Sequence, residues 1–373
     1  MIYFDHAATS LPKSKIALEA FFNAAHNYAN ASRGSYEPSL NASRLIYQTR
    51  EDIKQYFHLQ NGEVVFTSGA TMSLNIIIKG MFDRNDHVIT TTLEHNSVLR
   101  PLYEIEKKGV QIDFISFDNN GVIDIKECIS KIKPSTKAII MTMASNVLGT
   151  FQPIKEIAKI AHQHNLLIIV DVSQAVGHCN INMEELEIDI LCFSGHKGLA
   201  TPRGIGAIVM NKKYEITPLI SGGSGFLSFE KKQPESLPEH LEAGSLPIEL
   251  IASLQAAIKE NKEKNYIKEQ QLTTYFIEEV NKINNVNVLY PNNKNRCPLV
   301  SLHLNNISSD EIMDRLFQEY KICSRGGIHC APLLHQQLHT ENCGLLRFSF
   351  SNNNTLDEVK IAIKALKQIM EDV

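Results

Sequence analysis

Between residues 60 and 210, short unbroken apolar runs alternate with segments of helical periodicity. The runs cover residues 63–67, 87–92, 138–143, 166–171 and 189–194. Runs that are apolar at every position are typical of strands buried on both faces. Strands that alternate with helices, such as the helical patterns at 97–109 and 153–165, form a mostly parallel sheet covered by helices. The sequence therefore predicts an α/β fold for this part of the chain.

The pattern changes after residue 245. Residues 245–283 are typical of one long helix. Beyond them, strand patterns at 299–304 and 345–351 alternate with helical patterns at 308–320 and 355–373. A chain of 373 residues is long enough for two domains. We predict a large domain over 14–250 and a small α+β domain made of 1–13 and 251–373.

Composition excludes several classes of protein. The formal charge of −4 and the scattered basic residues give no support for nucleic-acid binding. No apolar run approaches the roughly 20 residues that cross a bilayer, and residues 1–14 lack the pattern of a signal peptide. The seven cysteines are odd in number and show no short repeated spacing. We therefore expect a cytoplasmic protein with free thiols.

Polar and reactive side chains follow the ends of the predicted strands, where open α/β sheets bind their ligands. They are a Gly-containing turn at 68–75 with Thr71, then His95, Asn146, Asp171 with Gln174, and Ser194 with His196 and Lys197. Singly, each has an ordinary structural explanation: a loop histidine, a helix cap, a surface lysine. Together they supply what pyridoxal phosphate needs, namely a phosphate site at a helix N-terminus, a stacking ring, a carboxylate and a Schiff-base lysine. No dinucleotide fingerprint or P-loop is present.

Eight segments resemble those of one enzyme family. They are YFDHAATS, FTSGATMSLN, LEHNSV, SNVLGT, VDVSQAVGH, FSGHKGLATPRGIG, RGGIHCAPL and LRFSFSNNNT, in this order along nearly the whole chain. By their order and spacing the chain resembles the class V branch of fold-type I pyridoxal-phosphate enzymes, and within it the cysteine desulfurases. This resemblance implies a mostly parallel, seven-stranded sheet sandwiched by helices, with a small C-terminal α+β domain.

The resemblance also assigns residues to the cofactor. Around the ring, Lys197 forms the Schiff base, Asp171 pairs with the pyridine nitrogen, Gln174 contacts the ring oxygen and His95 stacks. Around the phosphate it places Ala70, Thr71, Ser194 and His196. Asn146 contacts the ring oxygen or the substrate, and Ala8 the substrate. Residues 242–245, EAGS, resemble the segment that reaches the phosphate of a neighbouring subunit, with Ser245 in place of the usual threonine. A homodimer is therefore expected.

Residues 322–349 hold three cysteines and three histidines, so we considered a metal site. The candidate ligands are Cys323, Cys330, His335, His339 and Cys343. His335 and His339, four residues apart, would share a helix face if this segment were helical. No zinc-type pair is matched by a second pair, however, so we predict no metal.

The resemblance favours Cys330 as a nucleophile. It follows Gly326 and Gly327, beside His329 and near Arg325, and we expect positive charge or an imidazole to stabilise the thiolate. Arg347 corresponds to the arginine that binds the substrate carboxylate through two hydrogen bonds. Without the resemblance, Arg347 would be interpreted as a surface ion pair.

Two features depart from the relatives. Ile328 replaces the first of two histidines in the second desulfurase group, and the stretch from Arg325 to Cys330 is shorter than the mobile loop of the first group. Turnover would then depend on a sulfur-acceptor protein or a small thiol.

The sequence thus predicts conversion of L-cysteine to L-alanine with a persulfide left on Cys330 and His95 moving a proton. The alternatives are a selenocysteine lyase, an aminotransferase or β-eliminating enzyme of the same fold, and a non-catalytic scaffold. The intact set of Lys197, Asp171 and His95 argues against the scaffold.

Overall fold

The computed structural model describes residues 1–31, 34–225, 227–262, 266–305 and 307–372. The strands are β1 (Ile2–Tyr3), β2 (Glu63–Thr67), β3 (His87–Thr91), β4 (Gln111–Ile115), β5 (Thr136–Thr142), β6 (Leu167–Asp171), β7 (Ile190–Ser194), β8 (Gly206–Met210), β9 (Asn287–Val288), β10 (Leu299–His303), β11 (Ile322–Cys323) and β12 (Leu346–Ser349). The helices are α1 (Lys15–Asn27), α2 (Glu37–Tyr56), α3 (Ala70–Met81), α4 (Asn96–Glu106), α5 (Ile125–Ser130), α6 (Ile154–Gln163), α7 (Ile248–Lys262), α8 (Ile267–Val280), α9 (Ser309–Tyr320), α10 (Pro332–Leu338) and α11 (Leu356–Glu371).

The central sheet has seven strands in the order β2-β8-β7-β6-β5-β3-β4. Its pairs are parallel except for those of β8, which runs antiparallel to β2 and β7. Successive side chains of each strand enter opposite cores: Ile168 and Val170 pack on one face, Ile169 on the other. Both faces are buried because helices cover both, which explains the unbroken apolar runs. The predicted fold class is confirmed.

The C-terminal residues form a smaller sheet, β12-β10-β9, and a two-stranded parallel pair of β1 with β11. Its core includes four buried phenylalanines: Phe4, Phe276, Phe348 and Phe350. Residues 1–5 therefore pack with the C-terminal part of the chain, although the domain bounds themselves stay a prediction. In the described ranges, no helix combines the length and the apolar character needed to cross a membrane.

The expected long helix over 245–283 is wrong. This segment contains two helices, α7 and α8, and Tyr266 lies outside both. Residues 263–265 lie outside the described part of the chain. The two helices contact different bodies, since α7 packs on α1 and α2 while α8 packs on α11.

Candidate active site

A cleft of about 320 Å³ lies at the carboxyl ends of the central strands. Every sequence-predicted site residue except Ser245 lines it, together with Arg325. Four further lining residues were not predicted, namely Ala7, Ser97, Thr142 and Ser173, and His329 was expected only as the neighbour of Cys330. Ser173 lies between Asp171 and Gln174, and Ala7 beside Ala8, so both could have been found from the motifs already noted. Ser173 Oγ is buried and has no hydrogen-bond partner, which leaves it available to a polar ligand.

Lys197 follows β7 on a tightly packed loop. Its carbonyl accepts a hydrogen bond from Ser10 Oγ at 2.5 Å. This bond fixes the loop to the segment that contains Ser10. Gly177, at φ +84°, packs so closely on Gly198 that a Cβ there would collide with the backbone. Burial lowers the pKa of Lys197 to about 8, although Asp171 opposes the shift. The side chain therefore carries a substantial neutral fraction near neutral pH and can act as a nucleophile or base.

Asp171 and Gln174 lie on the tight turn after β6. Asp171 is 5% exposed, and its Oδ1 accepts a hydrogen bond from the backbone N–H of Ser173 at 2.9 Å. Gln174 Nε2 donates to the carbonyl of Ala7 at 3.0 Å, which fixes the amide at the cleft wall. A buried carboxylate in this position fits a protonated ring nitrogen, because the opposite charge offsets the cost of burial.

His95 is the N-cap residue of α4, the helix that follows β3 in the chain. Its Nδ1 accepts from the backbone N–H of Ser97 at 3.0 Å, so the proton of the neutral ring lies on Nε2. Burial, and then the nearby Lys197, lower the pKa of His95 to about 4. A neutral ring in this cleft can stack on a planar ligand and exchange a proton at Nε2.

The first turn of α3 forms a cradle for an anion. Gly69 precedes it at φ +137°, a conformation that L side chains rarely adopt. The N–H of Ala70 donates to Ser194 Oγ at 2.8 Å, and Thr71 is exposed beside it. His196 adds an imidazole whose Nδ1 lies 3.1 Å from Thr9 Oγ1. Hydroxyls, an imidazole and the positive end of a twelve-residue helix fit a phosphate group.

Cys330 is the exposed member of the seven free cysteines; the other six are buried or half-buried. His329 and Cys330 both have positive φ, 52° and 58°, which is costly for residues other than glycine. Two asparagines hold this conformation. Asn146 Nδ2 donates to the carbonyl of His329 at 2.8 Å, and the N–H of Asn96 donates to that of Cys330 at 2.7 Å. The cysteine loop is thereby fastened to the ends of β3 and β5.

The sequence left open whether positive charge or the imidazole of His329 stabilises the thiolate, and the structure shows where this ring makes its contact. Its Nε2 lies 2.9 Å from the carbonyl of Leu345, so this ring nitrogen points into the protein. Burial, reinforced by Arg347, holds the pKa of His329 well below its usual range, so the ring stays neutral. Three cationic side chains, those of Lys197, Arg325 and Arg347, line the cleft together with Cys330.

Arg347 lies on β12 and is 3% exposed, so it is not a surface ion pair. Its Nη1 donates to the carbonyl of Asn146 at 2.8 Å and its Nη2 to Asp5 Oδ1 at 3.2 Å. Its Nε is buried without a hydrogen-bond partner. Burial lowers the pKa of this guanidinium. A buried unpaired donor in the cleft wall fits a carboxylate ligand.

Ser245 is exposed outside the cleft. Its segment is anchored by Glu242, which forms a bidentate ion pair with Arg50 at 2.7 and 2.9 Å and accepts from the N–H of Phe66 at 2.6 Å. These bonds tie Glu242 to α2 and to β2, the strand that leads into the phosphate cradle.

The candidate metal ligands are dispersed. His335 lies on α10, but His339 follows that helix in a left-handed conformation, so the two do not share a helix face. His335 Nδ1 lies 2.8 Å from Thr340 Oγ1. No group of three or more His, Cys, Asp or Glu in the described ranges is arranged to hold a metal ion.

Comparison with known proteins agrees with this geometry. Residues 2–361 match the model of the family Aminotransferase class-V. The chain belongs to the class-V aminotransferase family. Enzymes of this family depend on pyridoxal phosphate, and the cradle, the buried Asp171 and Lys197 fit that group.

The chain is similar to three relatives within this family. It is 30% identical to a probable cysteine desulfurase of Methanothermobacter thermautotrophicus, over 99% of this chain and 94% of that protein. It is 31% identical to a probable cysteine desulfurase of Borreliella burgdorferi, over 100% of this chain and 92% of that protein. The apo structure of the cysteine desulfurase from Thermococcus onnurineus NA1 superposes with a TM-score of 0.90 at 29% identity, covering 100% of this chain and 95% of that one.

Proposed function

We propose that this protein is a pyridoxal-phosphate-dependent cysteine desulfurase that converts L-cysteine to L-alanine and leaves a persulfide on Cys330. The observation that carries the proposal is the position of Cys330. The most exposed thiol of the chain lines the same cleft as Lys197 and Arg347. A thiol in this position can reach the sulfur of an amino acid bound in the cleft, and the thiolate is the reactive form of cysteine.

The cofactor would be held by residues of one sheet edge. The first turn of α3, Ser194 and His196 would hold its phosphate, while Asp171, Gln174 and His95 would hold its ring. When bound, it withdraws electrons from the α-carbon of an attached amino acid. Lys197 provides the point of covalent attachment, since its lowered pKa supplies the neutral amine that attachment requires.

The chain's own side chains then divide the work. The Nε of Arg347 binds the substrate carboxylate. The Lys197 amine takes the α-proton, because it lies in the cleft and its pKa is near the working pH. The Cys330 thiolate attacks the substrate sulfur: an S–S bond forms, the Cβ–S bond breaks, and its electron pair stays on carbon. That carbon takes, through His95 Nε2, the proton that the Cys330 thiol has lost, and Lys197 returns the α-proton to the α-carbon, which completes L-alanine.

The persulfide leaves by transfer to an acceptor at the surface. Both carbonyls at the tip of the cysteine loop are hydrogen-bonded to the large domain, which restricts how far the sulfur can move. We therefore propose that the acceptor, a small thiol or a partner protein, comes to the cleft. A reduced thiol is needed throughout, which favours a cytoplasmic location.

We also propose a homodimer. Leu219 and Ile220 are exposed and line one pocket together with Ser245. Exposed apolar side chains beside a hydroxyl that could bind phosphate are expected where two copies share a site. Ser245 would complete the phosphate site of the partner.

One assay tests the reaction. Purified protein loaded with cofactor is incubated with L-cysteine, and alanine, pyruvate and protein persulfide are measured together. Equal amounts of alanine and transferred sulfur are expected. Pyruvate in place of alanine would show β-elimination, and the absence of any product would contradict an enzyme.

A further inference from the structure

Asp5 lies behind the wall of the cleft, between the two arginines that line it. It is 6% exposed. Its carboxylate accepts hydrogen bonds from Arg325 Nε at 3.0 and 2.9 Å and from Arg325 Nη2 at 2.6 Å. It also accepts one from Arg347 Nη2 at 3.2 Å. Backbone bridges join Asp5 to Ser349 and Arg325 to Arg347. The backbone positions of Asp5, Arg325 and Arg347 are therefore fixed relative to one another.

The charges in this group do not balance. Two guanidiniums face one carboxylate, so one positive charge remains at the cleft wall. The stronger pairing is with Arg325, which forms the shorter and more numerous bonds. Arg325 is thus largely neutralised, while Arg347 keeps a buried unpaired Nε. The remaining charge matches a ligand with a single carboxylate.

We propose that Asp5 is a positioning residue that, by occupying Arg325, limits the cleft to amino acids with one carboxylate. Arg347 binds that carboxylate. Arg325 is paired with Asp5 and therefore does not bind a second anionic group on the substrate's side chain. This inference rests on the proposed function, because the amino-acid substrate is taken from it.

The test compares how tightly the cofactor-loaded enzyme binds different amino acids. Binding is measured by the change in the absorbance of the enzyme. In wild type, L-alanine is expected to bind more tightly than L-aspartate. Asp5→Asn keeps the size of the side chain but frees the charge of Arg325. The ratio of the two dissociation constants should then move toward L-aspartate by about tenfold, the effect of one charge-assisted hydrogen bond. An unchanged ratio would overturn the proposal.

Three further variants separate charge from structure. Asp5→Glu should keep the wild-type ratio, and Asp5→Asn combined with Arg325→Gln should lose the gain for L-aspartate. The matched control is Asp52→Asn, because Asp52 is equally buried and hydrogen-bonded to Gln255 at 2.7 Å, away from the cleft. A similar shift of the ratio in Asp52→Asn would contradict the proposal.

A second measurement covers the case in which Asp5→Asn fails to fold. Arg325 has a half-exposed side chain, so Arg325→Gln should be tolerated. It leaves Asp5 paired with Arg347 alone, and L-alanine should then bind about tenfold more weakly. Unaltered binding of L-alanine would overturn the inference. If the ratio shifts as expected but L-cysteine yields no alanine, the proposed function fails while the role of Asp5 stands.

Discussion

At the scale of single residues, the protonation of Lys197 determines when the cofactor can be attached. Burial lowers its pKa to about 8, so the neutral amine becomes the major form above that pH. We expect the rate of covalent reconstitution of apoenzyme with pyridoxal phosphate to rise about tenfold per pH unit below 8 and to level off above it. The rate is followed by absorbance between pH 6 and 10. A rate that still rises between pH 9 and 10 would mean that this lysine has an ordinary pKa.

Cys330 gives a second test at this scale. Cys330→Ala should keep the covalent link to Lys197, because the thiol makes no contact that the phosphate cradle needs. Persulfide and alanine production from L-cysteine should fall by about two orders of magnitude or more, since the nucleophile is gone. Cys343→Ala is the matched control, a half-buried cysteine of the same segment. If Cys330→Ala kept the wild-type rate and Cys343→Ala lost activity, the assignment of Cys330 as the nucleophile would be wrong.

Sequence reasoning placed the residues that follow strands better than those set by distant contacts. Lys197, Asp171 and His95 could be placed in one cleft because parallel strands bring their carboxyl ends to one edge of the sheet. The pairing of Asp5 with Arg347 joins residues 342 positions apart, and no local pattern encodes it. The direction of the His329 ring depends on the carbonyl of Leu345, again a contact made only in the folded chain.

At the scale of secondary-structure elements, Glu94 links β3 to β5. Its Oε1 accepts from Thr91 Oγ1 at 2.6 Å and from the N–H of Thr142 at 2.9 Å, while its buried Oε2 has no hydrogen-bond partner. Burial raises the pKa of Glu94 from 4.5 to about 8. The protonated carboxyl therefore stabilises the fold fully below pH 4.5, and this contribution is lost as the pH rises toward 8.

Glu94→Gln should remove this pH dependence, because the amide keeps the accepting oxygen and has no proton to lose. The free energy of unfolding of wild type should fall relative to the variant between pH 5 and 8, as measured by urea denaturation. Glu185→Gln, at an exposed ion pair with Lys155, is the control and should leave the pH profile unchanged. Parallel profiles for wild type and Glu94→Gln would refute the assignment.

Two strands of the large sheet escaped sequence analysis for different reasons. β4 is an edge strand with one exposed and three half-buried positions, so it lacks an unbroken apolar run. β8 is fully buried and runs antiparallel between β2 and β7. Alternating strands and helices predict only parallel strands, so this pattern does not indicate β8. The bounds of the buried strands with helices on both sides were predicted to within one or two residues. Strands buried on both faces are apolar at nearly every position, and this pattern is visible in the sequence.

At the scale of the whole molecule, we expect a mass of twice the 41.9 kDa chain by light scattering. Ile220→Asp should shift the protein toward monomer by placing a charge among the exposed apolar side chains near Ser245. Ile361→Asp, on α11, replaces an equally exposed isoleucine and should leave the dimer intact. Ser245→Ala should keep the dimer but weaken cofactor binding. A monomer that retains cofactor and turns over would contradict the shared site.

The packing of Phe4 has a consequence for the order in which the chain can fold during synthesis. This ring is fully buried against Phe348 and Phe350, and β1 pairs with β11. Residues 2–4 must therefore wait, once synthesised, until their partners beyond residue 320 have also been made. The seven strands of the large sheet, all complete by residue 210, can assemble during that interval. The cleft wall that holds both arginines closes only after translation has passed Arg347.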